Sequence, residues 1–153
     1  MFTWEKALLV LHAISAGVLT GAAIHNGVLA WRRRRGSGGH GRLRRLYPSV
    51  MAVSWLLCFA LGLVIYPTFR VEVRGAFLDA QAPWAVGLFE AKEHLAAMGL
   101  FALCYLVPTS RRLGNKRMEE DDPRLFDEAG IFVAGVVCFV TVVGLLVSSL
   151  RPV

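Results

Sequence analysis

In "FEAKEHLAAMG", residues 89–99, the side chains of Glu90, Lys92, Glu93 and His94 stand at the head of an otherwise apolar run. Such groups bind metals, move protons or pair with charged ligands, and in lipid they face protein, a partner or water. Glu90 and His94 are i,i+4 neighbours, close enough on a helix to hydrogen-bond. A carboxylate that fixes one imidazole nitrogen while the other binds a metal is the usual support for a ligating histidine. His12 lies in a second apolar run, and two imidazoles from facing helices at one depth would hold a haem iron axially. The plainer alternative is a set of solvated interfacial charges, with His94 satisfied inside a bundle.

Four apolar runs must position these residues, at about 4–31, 48–66, 84–108 and 129–150. Each is near the ~20 residues that cross the hydrocarbon of a bilayer. The chain is 56% hydrophobic and 18% charged, which fits lipid better than water. The expected fold is therefore an all-α membrane protein, an antiparallel bundle of four transmembrane helices in a single domain, 1–153. The first run has no basic leader and exceeds a signal-peptide core, so a retained helix is expected. Residues 32–45 hold seven arginines and no acid, and the third connection adds Arg111, Arg112, Lys116, Arg117 and Arg124. The positive-inside rule then makes loops 32–47 and 109–128 cytoplasmic and both termini external, as in a bacterial cytoplasmic membrane. On this reading the net charge of +6 is a topology signal, and its expected contacts are anionic lipid head groups rather than nucleic acid.

Counting from the basic ends gives depth. His94 comes out about 25 Å from Arg111 and His12 about 30 Å from Arg32, so both belong to one outer layer. His25 comes out about 10 Å from the other side. Around the third run, Gly87, Glu90, Ala91, Met98, Phe101 and Tyr105 share the side of His94, while Lys92 points nearly opposite. The His94 side is expected to face inward, with His12 and His94 as axial ligands and Glu90 orienting His94. Arg70, Arg74 and Lys92 would then neutralise propionates. His25 is a candidate for a second, inner site, with only His40 or Met51 as possible partners.

Other features are more ordinary. Cys58, Cys104 and Cys138 lie in separate runs without a CxxC and read as small buried hydrophobes. Gly17-x-x-x-Gly21 suits close helix approach, or equally a macrocycle against the backbone. Tyr47-Pro48 and Tyr66-Pro67 read as punctuation of the second helix. Asp122-Pro123 reads as the start of a short surface helix before the fourth span. There is no second Glu/His pair for a di-iron bundle, no HExxH, no G-x-S-x-G and no phosphate loop.

The order of features resembles the small four-helix membrane haem b proteins, namely the membrane protoporphyrinogen IX oxidase family and the related copper-resistance-type membrane proteins. The resemblance runs through "KALLVLHAISAGVLTG", "RRLYPSVMAVSWLLCFALGL", "WAVGLFEAKEHLAAMGLFALCYL" and "RLFDEAGIFVAGVVCFVTVVGLLVSSLRP". It implies haem b, an oxidoreductase role and a first-helix His with a third-helix Lys tied to haem and activity, which fall on His12 and Lys92. The chain departs from the family pattern at Asp127-Glu128-Ala129-Gly130, where Asn-Glu-x-Pro is usual, and lacks a Trp after the first His. The expectation is an integral-membrane haem b protein with a redox or electron-transfer role, served by a quinone, porphyrin or redox-protein partner. A cofactor-free accessory subunit of a larger membrane complex is the alternative. Metal-ion handling through His12, Glu90, Glu93 and His94 is a third reading.

Overall fold

The computed structural model describes residues 4–36, 41–113 and 122–150, and is helical nearly throughout. The long helices are α1 (Trp4–Arg34), α2 (Gly41–Thr68), α4 (Pro83–Leu113) and α5 (Asp122–Leu150). A π-helical segment, Phe69–Leu78, and the single turn α3 (Asp79–Gln81) join α2 to α4. Three helices are long and apolar enough to cross a membrane: α1, α2 with its extension, and α5. α4 carries Glu90, Lys92, Glu93 and His94 within its apolar stretch and does not meet that measure.

The helices run past the expected boundaries. Pro48 lies inside α2, which begins at Gly41, and Pro67 does not end it. The helix continues beyond Pro67 in wider π turns, which tolerate the regular bond that a proline cannot make. Arg70 and Arg74 thus sit on a helical segment, not in a loop. No separate surface helix precedes the last span, because α5 is continuous from Asp122. α1 ends where Gly36 takes a left-handed φ of +81° and its N–H bonds to the Arg33 carbonyl at 3.0 Å.

Antiparallel neighbours close the bundle in the order α1, α2, α4, α5. α1 packs on α2 and α5, and α4 packs on α2 and α5. α1 and α4 stand on the diagonal, with no close backbone approach among the described residues. Thr20 donates to the Ala16 carbonyl at 2.8 Å, so the Thr141 hydroxyl donates to Thr20 at 2.9 Å and links α1 to α5. A Cβ on Gly27 would lie 2.7 Å from that of Ala134, and one on Gly99 would overlap the Trp55 indole. At these two glycines a neighbouring side chain occupies the space that a Cβ would need. Gly17 and Gly21 have open space instead, on the side of α1 away from its core stripe. Within the chain they are not a packing seam.

Two apolar cores result. One holds Leu19, Ala23, Met51, Trp55, Leu106 and Phe126 with their neighbours, drawing on all four long helices. The other gathers Val73, Leu78, Ala85, Val143 and Val147 without α1. The arginine-rich ends of α1, α2 and α4 lie beyond the first core, and this is called the basic end below. The second core lies at the far end.

Candidate functional site

His12 lies on the core stripe of α1, in line with Leu8, Leu19, Ala23 and Ala30, all buried. Its ring is half-buried against α2, where a Cβ on Gly62 would meet Cε1 at 3.7 Å. One helical turn away, the Cys58 thiol points at the His12 carbonyl at 4.0 Å. His12 Nδ1 is buried and has no hydrogen-bond partner. An imidazole carries two polar nitrogens, and buried ones are ordinarily paired. This ring therefore retains unused binding capacity.

Lys92 stands level with it on the diagonal helix. Trp55 against Gly99 and Tyr66 against Phe89 fix the register of α2 with α4. Counting along both helices brings Lys92 level with Gly62, the residue that His12 touches. Lys92 shares the inward stripe of α4 with Ala85, Gly99, Leu103, Leu106 and Ser110, all buried. Its ammonium lies 4.2 Å from the centre of the Phe89 ring and bears electrostatically on His12. Phe89 stacks on Phe69 at 4.7 Å and on Tyr66 at 6.4 Å, giving the lysine an aromatic floor. Among the described residues Lys92 has no carboxylate within ion-pair distance.

The wheel expected for α4 holds, but its inward side is the opposite one. His94, Glu90, Met98 and Phe101 are exposed, roughly 160° around the helix from Lys92 in the case of His94. Small and apolar residues choose the buried side, because Gly99 must admit Trp55. His94 Nδ1 pairs with the Glu90 backbone carbonyl at 2.7 Å. The Glu90 carboxylate instead accepts from Arg74 Nη2 at 2.8 Å, so it does not orient His94. His12 and His94 share a depth and not a direction.

The remaining expected residues are dispersed. Arg70 is exposed on the π-helical segment. Arg74 is paired with Glu90 and, at 3.7 Å, with Asp79. His25 is exposed near the basic end, its ring 5.9 Å from that of Tyr47, while His40 lies outside the described residues. Among the described residues no three His, Cys, Asp or Glu side chains gather as a metal-ion site. Glu93 is exposed as well.

The basic end holds a cluster not singled out in the sequence. Asp127 Oδ1 accepts from Arg33 Nη2 at 2.6 Å and Nε at 2.9 Å, and Arg44 Nη2 lies 4.0 Å away. Arg44 also stacks over Phe126 at 4.9 Å. Asn26, fully buried, presses its amide against Gly130, and neither amide atom has a hydrogen-bond partner. The available signal was Asp127 standing just before the apolar run 129–150, at the end of that run which meets the arginines of α1.

Comparisons of the chain with protein-family models, with curated proteins and with solved structures each find no match.

Proposed function

We propose that the chain is an integral-membrane haem b protein with a redox or electron-transfer role, its iron held by His12. In this reading all four long helices cross a bacterial cytoplasmic membrane, α4 included. Both termini are external and the basic end is cytoplasmic, in keeping with the positive-inside rule. The observation that carries the proposal is the juxtaposition of His12 and Lys92. Both lie on core-facing stripes of diagonal helices at one level; His12 keeps a buried nitrogen without a partner, and Lys92 rests on an aromatic ring and makes no ion pair among the described residues.

An ammonium and an imidazole sharing a low-dielectric layer, with only the exposed Glu93 carboxylate acting on the ammonium, is a costly arrangement. A ligand that offers a metal to the imidazole and an acid to the ammonium relieves it at both points. Haem b is such a ligand: when bound it supplies a one-electron couple at its iron, tuned by ligation and burial. His12 would hold the iron and Lys92 a propionate, with Arg70 at the rim. The same two residues are the positions on which the resemblance to the membrane protoporphyrinogen IX oxidase family places its haem-associated His and Lys. His94, directed away from this layer, is not assigned as the second axial ligand.

The absorbance spectrum of the purified protein tests this. A Soret band with reduced-minus-oxidised bands is expected, lost in His12→Ala, weakened in Lys92→Ala and retained in His94→Ala. A colourless preparation, even after haem supplementation during expression, would sink the proposal. Equal loss in His12→Ala and His94→Ala would restore the axial pair and overturn the assignment of the inward face.

A further inference from the structure

A second site lies at the basic end, on the outside of α2. Arg42, Arg45, Leu46 and Ser49 line an open depression of about 540 Å³. These residues point away from Arg44, Met51 and Trp55, which face the interior. Two guanidiniums and a hydroxyl in one depression match the oxygens of a phosphodiester. The Ser49 hydroxyl makes only a long bond, 3.4 Å, to the Arg45 carbonyl and is free to turn toward such a group.

Surroundings narrow the ligand. Above the depression, Leu46, Val53, Leu57 and Val64 form an apolar stripe along one side of α2, each between 49% and 60% exposed. The stripe starts at the depression itself, since Leu46 belongs to both. A soluble anion would use the cations and leave the stripe idle, whereas a two-part ligand uses both. Depth agrees. Trp31 is exposed beneath the Arg35 guanidinium, 4.1 Å from its ring centre, as suits a side chain at a membrane–water interface. The His25–Tyr47 contact sets the register of α1 with α2 and brings Trp31 level with the start of α2. The depression therefore begins at headgroup level and opens toward the hydrocarbon, within reach of snorkelling arginines.

We propose that this depression is a specific site for an anionic phospholipid, with the phosphodiester on Arg42, Arg45 and Ser49 and an acyl chain along the Leu46–Val64 stripe. The site is independent of the His12 layer, and its test does not depend on haem. Native mass spectrometry of the full chain, released from mixed phosphatidylglycerol and phosphatidylcholine, reads retained lipid directly. Wild type should keep phosphatidylglycerol in preference, and Arg42→Gln/Arg45→Gln should lower that retention by about tenfold. The control Arg111→Gln/Arg112→Gln removes the same charge from α4 and should leave retention within about twofold. Both pairs are exposed, and the unfolding temperature of each variant in phosphatidylcholine, read beside lipid retention, distinguishes loss of the site from loss of fold. Equal loss in the two variants would reduce the effect to diffuse charge and overturn the site. Displacement of the lipid by excess inorganic phosphate would also overturn it, by showing an anion site indifferent to the acyl chain.

Discussion

The two ends of the bundle gather cations in opposite ways. At the basic end Arg33 and Arg44 converge on one buried carboxylate, Asp127, with Arg33 bonded to it twice. At the far end Lys92 and His12 share one level on diagonal helices, and Lys92 makes no ion pair among the described residues. The first arrangement is answered in charge by the chain itself. Asp127 bonds Arg33 and so fastens α1 to α5, with Arg44 of α2 drawn in at 4.0 Å although its Nε and Nη2 make no hydrogen bond. The second is open: position and polarity are provided, and the answering charge is not. Closed clusters hold helices together, while open ones leave room for something that is not part of the chain.

That contrast breaks most readily at Asp127. Asp127→Ala would leave two largely buried guanidiniums facing each other, and removing one partner of a buried pair costs about 3–5 kcal/mol. Thermal unfolding in detergent should show the loss. His12→Phe in haem-free protein should behave oppositely, shifting stability by less than about 1 kcal/mol, because an apolar ring replaces one with an unpartnered buried nitrogen. Equal destabilisation by the two changes would mean that the His12 layer is structural after all.

Backbone contact sharpens the same comparison at a smaller scale. Gly99→Ala drives a methyl into the Trp55 indole, and overpacking of this kind costs about 1–3 kcal/mol. Gly21→Ala meets open space and should stabilise α1 by up to about 1 kcal/mol through helix propensity. A large loss at Gly21 would instead reveal a partner helix on that side.

Helices were legible because long apolar runs admit little else, and the departures have local causes. Pro48 and Pro67 suggested boundaries, yet α2 runs through Pro48 two turns from its start, forgoing one backbone bond there, and continues past Pro67 into π turns. The site was half legible. Depth placed His12 with the head of α4, and helical geometry set Lys92 and His94 on opposite sides. Neither could say which side turns inward, since that depends on which neighbour fits. Trp55 needs the space at Gly99, so the Gly99 side faces the bundle and Lys92 comes with it. Charge near a membrane boundary was the weaker guide, because Glu90 and Glu93 can reach water from the outer side of the helix. The Asp127 cluster was missed for a related reason: its arginines were read only as a topology signal.

The smallest effect separates two roles for Glu90. A carboxylate that oriented His94 would, on changing to Gln, alter the proton position on the imidazole. Here the carbonyl of Glu90 holds His94 Nδ1, and Glu90→Gln leaves that carbonyl in place. What the substitution removes is the exposed pair with Arg74, and exposed pairs contribute little. Nitrogen NMR of His94 should therefore report the same tautomer in wild type and Glu90→Gln, with no measurable change in unfolding temperature. A changed tautomer would return the carboxylate to the imidazole and reopen the question of which side of α4 carries the chemistry.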